Sequence, residues 1–340
     1  MNNITSGWIY SYKIDLLIFL IPSVLALFIS YLIPYGLEEY ISIYIILDQP
    51  HIYSTFLYTY NSKRFFIKFK RRLLWFPVLM FSFICLLMFV WGHRPVGYIL
   101  AASVLYHVCK QQLAWFFIAS GKENYYLNKF EKINDKAFAY LCVFGPLIIS
   151  MSYIAGAKGW RTPSDLPILP DEVLYIVFSS WSVCFIIYVI YQLVKYFKFN
   201  FISWGKHFHL INGLIIWLAY RLLLFDNYER LVNFGLLLMV LGHSIPYLFL
   251  GHKYTNNRIR NNEEFYIKFP DRLPVFLILL LVGAIFAYLE VNLFNYFRNL
   301  SRVSSTLIIA FVYTVAFNHH YIDRFMWKRD THLEGLSFLK

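Results

Sequence analysis

The sequence predicts an all-α protein, a polytopic integral membrane bundle of about ten transmembrane helices with both termini in the cytoplasm. Three observations lead there. Of 340 residues, 59% are hydrophobic and 21% aromatic, while only 15% are charged, against roughly 25% in an ordinary soluble domain. Too few charges remain to cover a surface in water. The apolar residues also form continuous runs, each close to the about 20 residues that a helix needs to cross a bilayer. Finally, Lys and Arg collect on alternate connections between those runs, as residues retained on the cytoplasmic side do.

The same composition excludes other classes. Hydrophobicity is too high for a disordered chain, the runs lack heptad spacing, and four cysteines are too few for a disulfide scaffold. Cys85, Cys109, Cys142 and Cys184 lie inside apolar runs without C-x-x-C spacing and read as small core hydrophobes.

Taken in order, the apolar runs give helices at 13–34, 39–60, 72–92, 96–119, 137–157, 172–195, 207–225, 229–250, 274–298 and 304–327. The first is longer than a signal-peptide core and no small-residue cleavage pattern follows it, so it is expected to stay in the membrane. No connection is long enough for a soluble domain, and residues 1–340 are expected to form one transmembrane domain. Connections after even-numbered helices, with the C-terminal flank, hold 22 Lys and Arg, whereas those after odd-numbered helices hold 6. That imbalance fixes the orientation and accounts for the net charge of +12 without nucleic acid as a partner. Trp115, Trp204 and Trp327 read as interface or lipid-facing residues, and Arg221 and Glu290 as interfacial. Pro50, Pro146 and Pro246 fall inside predicted helices, where a proline frees a carbonyl and opens space.

With orientation set, polar residues inside the spans acquire depths. "LDQPHIYSTFLYTY" puts Asp48 and His51 one turn apart, with His51 about 14 Å above the cytoplasmic end. "YHVCKQQLAW" carries His107, Gln111 and Lys110, "LGHSIPYLFLGH" carries His243, and "FNHHYIDRFMWK" carries His319, His320 and Asp323. All four helices run inward, and all place histidine in the central to cytoplasmic part of the span. Ionisable groups there are costly and mark functional sites, and one shared cavity explains them more economically than several separate packing partners. His207 and His209 in "KHFHLING" offer a further contribution at the cytoplasmic mouth.

Imidazoles with nearby carboxylates are the ligands of iron, zinc or copper. His51, His107, His243, His319 and His320 are therefore the candidate metal ligands. Asp48 and Asp323 are spaced to ligate, to orient a histidine through its second nitrogen or to act in catalysis. On a helix His319 and Asp323 share a face, while His320 points about 100° away. Lys110, with Asp48 and Asp323 a candidate catalytic residue, lies too deep to snorkel easily; it is either aimed away from the metal, paired with Asp48 or Asp323, which is the expectation, or an anchor for an acidic substrate headgroup.

The ordered islands "LDQPHIYSTFLYTY", "YHVCKQQLAW", "LGHSIPYLFL" and "NHHYIDRFMWK" resemble those of a group of bacterial polytopic His-rich membrane proteins. In style they are also similar to the Brp/Blh type of carotenoid-cleaving oxygenase, in which histidines on separate helices are thought to hold iron. The H-x-x-x-H and H-x-x-H-H boxes of membrane hydroxylases and desaturases are absent; only the His319–His320 doublet occurs. The resemblance implies a metal-dependent oxygenase-like enzyme of the bacterial inner membrane, with iron foremost as cofactor. Membrane lipids, an apolar substrate and an electron-donor protein would be its partners. A proton-coupled transporter using Asp, His and Lys as a relay, or an acyl- or glycosyltransferase with a His base, are the alternatives.

Overall fold

A helix in apolar surroundings must satisfy its backbone groups from within or from neighbouring side chains, and its prolines show how this chain does so. The structure, a computed structural model, describes residues 7–32, 49–123, 126–156, 170–210, 240–267, 274–298 and 301–326. Among them every regular element is a helix, and the sole β feature is an isolated antiparallel bridge between Ser62 and Phe265.

The first helix, α1, runs through Tyr12–Asp15, a π-helical turn Leu16–Leu20 and Ile21–Leu32. It is followed by α2 (Gln49–Thr59), α3 (Lys63–Trp91) and α4 (His93–Glu123), and then by α5 (Lys129–Gly156) and α6 (Asp171–Phe199). Residues 204–210 are also helical. A π-helical turn at Val240–Ser244 leads into Ile245–Arg260, together α7, and Val275–Arg298 and Arg302–Met326 form α8 and α9.

Each π turn precedes a proline by the same interval: Leu20 stands two residues before Pro22, and Ser244 two before Pro246. Proline lacks the N–H that would bond the carbonyl four residues back, and the helix widens there. For Pro246 that carbonyl belongs to Gly242, and Gln112 Nε2 donates to it at 3.0 Å. Pro77 inside α3 similarly orphans the Leu73 carbonyl, which accepts from the Tyr60 hydroxyl at 2.8 Å. The ends are secured locally. Ser62 Oγ accepts from Phe65 N to cap α3, and Gly92 closes that helix at φ 82°. At the start of α5, Asn128 Oδ1 accepts from Glu131 N at 2.8 Å while Glu131 Oε2 accepts from Leu127 N at 2.6 Å, a reciprocal cap.

The chain divides into two compact units, one of residues 1–37 and 109–242, the other of residues 38–108 and 243–338. In the first, α5 packs on α6 through Phe138, Cys142, Trp181 and Tyr188, joined by Leu113 and Phe116 of α4. In the second, α2 is enclosed closely by α7 and α8. A Cβ on Gly251 would strike the Tyr58 ring, and one on Gly283 would strike Pro50, so both glycines are required by close approach. In the same unit α9 lies on α3, with Phe76 and Tyr321 stacked at 3.7 Å and Ala310 set among Ile84, Leu87, Met88 and Val96.

Among the described residues, three helices, Tyr12–Ile29, Lys63–Trp91 and Tyr175–Phe199, are long and apolar enough to cross a membrane. Large apolar side chains face outward on them, including Trp75, Leu79, Phe83, Ile176 and Ile190, which is the face a lipid rather than an aqueous solvent accepts. Some expectations need adjustment, and others fall outside the described residues. The third helix begins at Lys63 rather than 72, because its basic stretch is itself helical, with a break from helical geometry at Phe69. Trp115 is not an interface residue; it is buried, with its ring 5.1 Å from that of Phe19. Trp204 is exposed. Residues 39–48 and 211–239, with Arg221, fall outside the described residues, as does Trp327.

Candidate metal centre

One turn of helix separates each of three site histidines from a polar residue on the same face: His51 from Thr55 on α2, His243 from Tyr247 on α7, and His319 from Asp323 on α9. α4 contributes His107. All these residues belong to the second unit. The four helices thus present one tier of imidazoles with a second polar tier beneath it.

In the upper tier the ligand nitrogens of His51, His107, His243 and His319 all lie within 4.8 Å of one another. Nε2 of His243 is 3.0 Å from Nε2 of His51, and Nε2 of His319 is 3.3 Å from Nε2 of His107. The rings meet edge to face, with centroids 4.6 Å apart for His51 and His243 and 4.9 Å for His107 and His319. His51, His243 and His319 are buried and His107 nearly so. A metal bound at about 2.0–2.1 Å to four imidazole nitrogens sets them roughly 3.3 Å apart in a tetrahedron, and about 2.9–4.1 Å apart in an octahedron. The two close pairs, at 3.0 and 3.3 Å, match such spacings, the full set, within 4.8 Å, would close by under about 1 Å around an ion, and the donor chemistry fits a transition metal. An all-nitrogen set suits iron, zinc, copper or nickel rather than calcium or magnesium.

The lower tier fixes which nitrogen faces inward. The Tyr247 hydroxyl donates to Asp323 Oδ1 at 2.6 Å, and Thr55 Oγ1 lies 2.7 Å from the Tyr247 oxygen and 2.8 Å from His319 Nδ1. An ionised carboxylate only accepts. The tyrosine proton is thereby committed to Asp323, the one Thr55 proton is directed to the Tyr247 oxygen or the His51 carbonyl, 3.2 Å away, and His319 Nδ1–H donates to Thr55. The lone pair of His319 Nε2 is left pointing at the other histidines. His51 has a comparable partner, with Ser244 Oγ 3.2 Å from its Nδ1. Such contacts on the second nitrogen orient metal-binding imidazoles and raise their basicity. Asp323 itself turns Oδ2 back to the upper tier, 3.6 Å from His107 Nε2 and 3.7 Å from His319 Nε2, within a small movement of joining the ligands.

His320 is not one of the four converging histidines. Its ring lies nearly parallel to that of His107 at 4.4 Å, and its Nδ1 is 2.8 Å from Ser103 Oγ. Lys110 is exposed, with its ammonium 5.7 Å from the Tyr140 ring centroid. Asp48 lies outside the described residues. His207 and His209 belong to the first unit, where His207 Nδ1 is 2.5 Å from the Tyr188 hydroxyl and His209 packs on Phe19 at 4.6 Å. Sequence reasoning missed Thr55, Tyr247, Ser244 and Ser103. The first two had a signal, since each stands four residues after a site histidine.

Compared with family models, with curated proteins and with solved structures, the chain finds no match in any of the three.

Proposed function

We propose that the chain is a polytopic enzyme of the bacterial inner membrane that holds a transition metal, iron foremost, on His51, His107, His243 and His319 and oxidises a lipidic or other apolar small molecule. The observation that carries this reading is the convergence of four imidazole nitrogens from four helices within 4.8 Å. Separate packing histidines have no reason to turn their nitrogens towards one another. A redox metal bound there supplies one-electron and oxygen chemistry.

The chain's own part is to hold and to orient. Thr55, Tyr247 and Ser244 keep imidazole lone pairs aimed inward, burial excludes water, and Asp323 stands ready to accept a proton beside the metal position. The outward apolar faces of α3 and α6 give a route by which an apolar substrate reaches the protein from lipid, and an electron-donor protein would supply reducing equivalents. The likeness of the polar islands to the Brp/Blh oxygenases points to the same chemistry.

Elemental analysis of detergent-purified protein from iron-supplemented cells tests the reading. Near-stoichiometric iron in the wild type, lost in His51→Ala and in His319→Ala, is the expected result. Protein that is folded and metal-free under those conditions overturns it and favours the transporter or transferase reading.

A further inference from the structure

The first unit contains a second polar island, and the metal reading makes no use of it. Glu123 ends α4, Glu131 and Asp135 lie on the first turns of α5, Lys195 is near the end of α6, and Lys206 follows in the helical residues 204–210. Glu123 is 4% exposed and the other four are 0% exposed. Lys195 Nζ lies 2.5 Å from Glu131 Oε1 and 3.1 Å from Glu123 Oε1. Lys206 Nζ lies 2.8 Å from Asp135 Oδ2, 3.6 Å from Glu123 Oε2 and 3.9 Å from Glu131 Oε1. Ser203 Oγ donates to Glu123 Oε2. The Tyr126 ring faces both ammonium groups at 5.5 and 5.4 Å, and the Tyr188 ring faces Lys206 at 5.5 Å.

The charges do not balance. Three carboxylates face two ammonium groups, and an uncompensated charge sealed from water costs several kcal/mol. Two buried oxygens of the cluster have no hydrogen-bond partner among the described residues, Glu131 Oε1 and Asp135 Oδ1; Glu131 Oε1 still faces Lys195 Nζ at 2.5 Å and Lys206 Nζ at 3.9 Å, whereas Asp135 meets Lys206 through Oδ2, so the imbalance rests on Asp135 Oδ1. A metal cation placed there would stand within a few ångström of two ammonium groups, whose repulsion in a weakly screening interior opposes it. A proton adds the same charge without that crowding and turns the lone oxygen into a hydroxyl.

We propose that this cluster binds one proton, held on Asp135, and that Glu123, Glu131, Lys195 and Lys206 set the charge that retains it. Burial raises the Asp135 carboxyl above the ordinary carboxylate range, Glu131 works in the same direction, and Lys206 and Lys195 oppose it. The other titratable groups around the island among the described residues include Tyr126 from the connection before α5, Tyr188 from α6, His207, which shares its hydrogen bond with Tyr188, and Lys132 of α5, whose ammonium lies 5.7 Å from the Tyr126 ring centroid but is exposed, so that its charge is screened by its surroundings. The number of bound protons should then follow the number of fixed charges. Removing one carboxylate discharges the proton even though Asp135 is intact, and removing one ammonium group adds a second proton.

Infrared difference spectroscopy of the full chain in detergent at neutral pH reads this directly through the carbonyl stretch of a protonated carboxyl. The wild type minus Asp135→Asn should show one such band, and the wild type minus Glu131→Gln should show the same band. Lys206→Met should gain about one carboxyl of intensity. Should Lys206→Met fail to fold, the near-isosteric Glu131→Gln still decides. A band that persists undiminished in Glu131→Gln overturns the proposal. So does the absence of any protonated-carboxyl difference for Asp135→Asn, or stoichiometric sodium or potassium that Asp135→Asn loses. None of these outcomes depends on the histidine cluster, so the two readings fail separately.

Discussion

Thr55 shows how much a single hydroxyl can determine. It lies between Tyr247 and His319 with both contacts under 2.9 Å, and it passes the acceptor character of Asp323 back to an imidazole it does not otherwise influence. Thr55→Val or Tyr247→Phe keeps the shape and interrupts that chain. Each should weaken metal affinity by about 10 to 100-fold while the fold persists, measured by competition with a chelator of known affinity. His319→Ala should lose the metal altogether. Equal losses in all three variants would mean that the lower tier is not merely orienting. At this scale the site was partly legible: histidines that recur in apolar runs at a matched expected depth are conspicuous, and position four residues on is a helix's own neighbour. Which nitrogen faces inward was not legible, because it depends on hydrogen-bond directions across helices 192 and 264 residues apart in the chain.

The helices themselves were legible from apolar run length, and their ends less so. The basic stretch Lys63–Arg72 interrupts hydropathy but not helix formation, since Lys and Arg are good helix formers. α3 therefore starts nine residues early, capped by Ser62 and bent at Phe69. The inward turn of Trp115 escaped notice for a related reason, as an aromatic residue within the continuous apolar run 113–119 carries no periodicity that distinguishes lipid from core. Accessibility tags test the arrangement of elements. Tags at residues 65, 125 and 260 should be reachable from the cytoplasmic side, and one at residue 165 from the opposite side. Residues 65 and 165 reached from one side would undo the common depth of the histidines.

For the whole molecule, a metal that ties together the parts of α2, α4, α7 and α9 that lie in the second unit would make stability conditional on its presence. Ligand that binds only the folded state stabilises by about 2.7 kcal/mol when free metal is 100 times Kd. Chelation should lower the midpoint of thermal unfolding in detergent, and readdition should restore it. The variant His51→Ala should show a low midpoint that neither treatment moves. A chelator-insensitive wild type would indicate that the helices hold together without the ion. Long-range organisation of this kind was the least legible layer. Lys195 and Glu123 stand 72 residues apart and Lys206 and Asp135 71. Each looks in sequence like a charge at a cytoplasmic helix end, the usual place for a solvated one.

Pro246 sets stability against function. Its missing N–H widens the helix at Val240–Ser244, where His243 resides, and leaves the Gly242 carbonyl to Gln112. Pro246→Ala would restore the missing donor, tighten the turn and stabilise the helix by up to about 3 kcal/mol. Narrowing a π turn to an α turn alters the angular register about His243, so the same variant should hold less metal, with a higher unfolding midpoint and a lower iron content in one preparation. Breeding this protein for heat resistance alone would favour that replacement and erode the centre, and a survey of heat-selected survivors should find proline missing at 246 chiefly where iron is missing too.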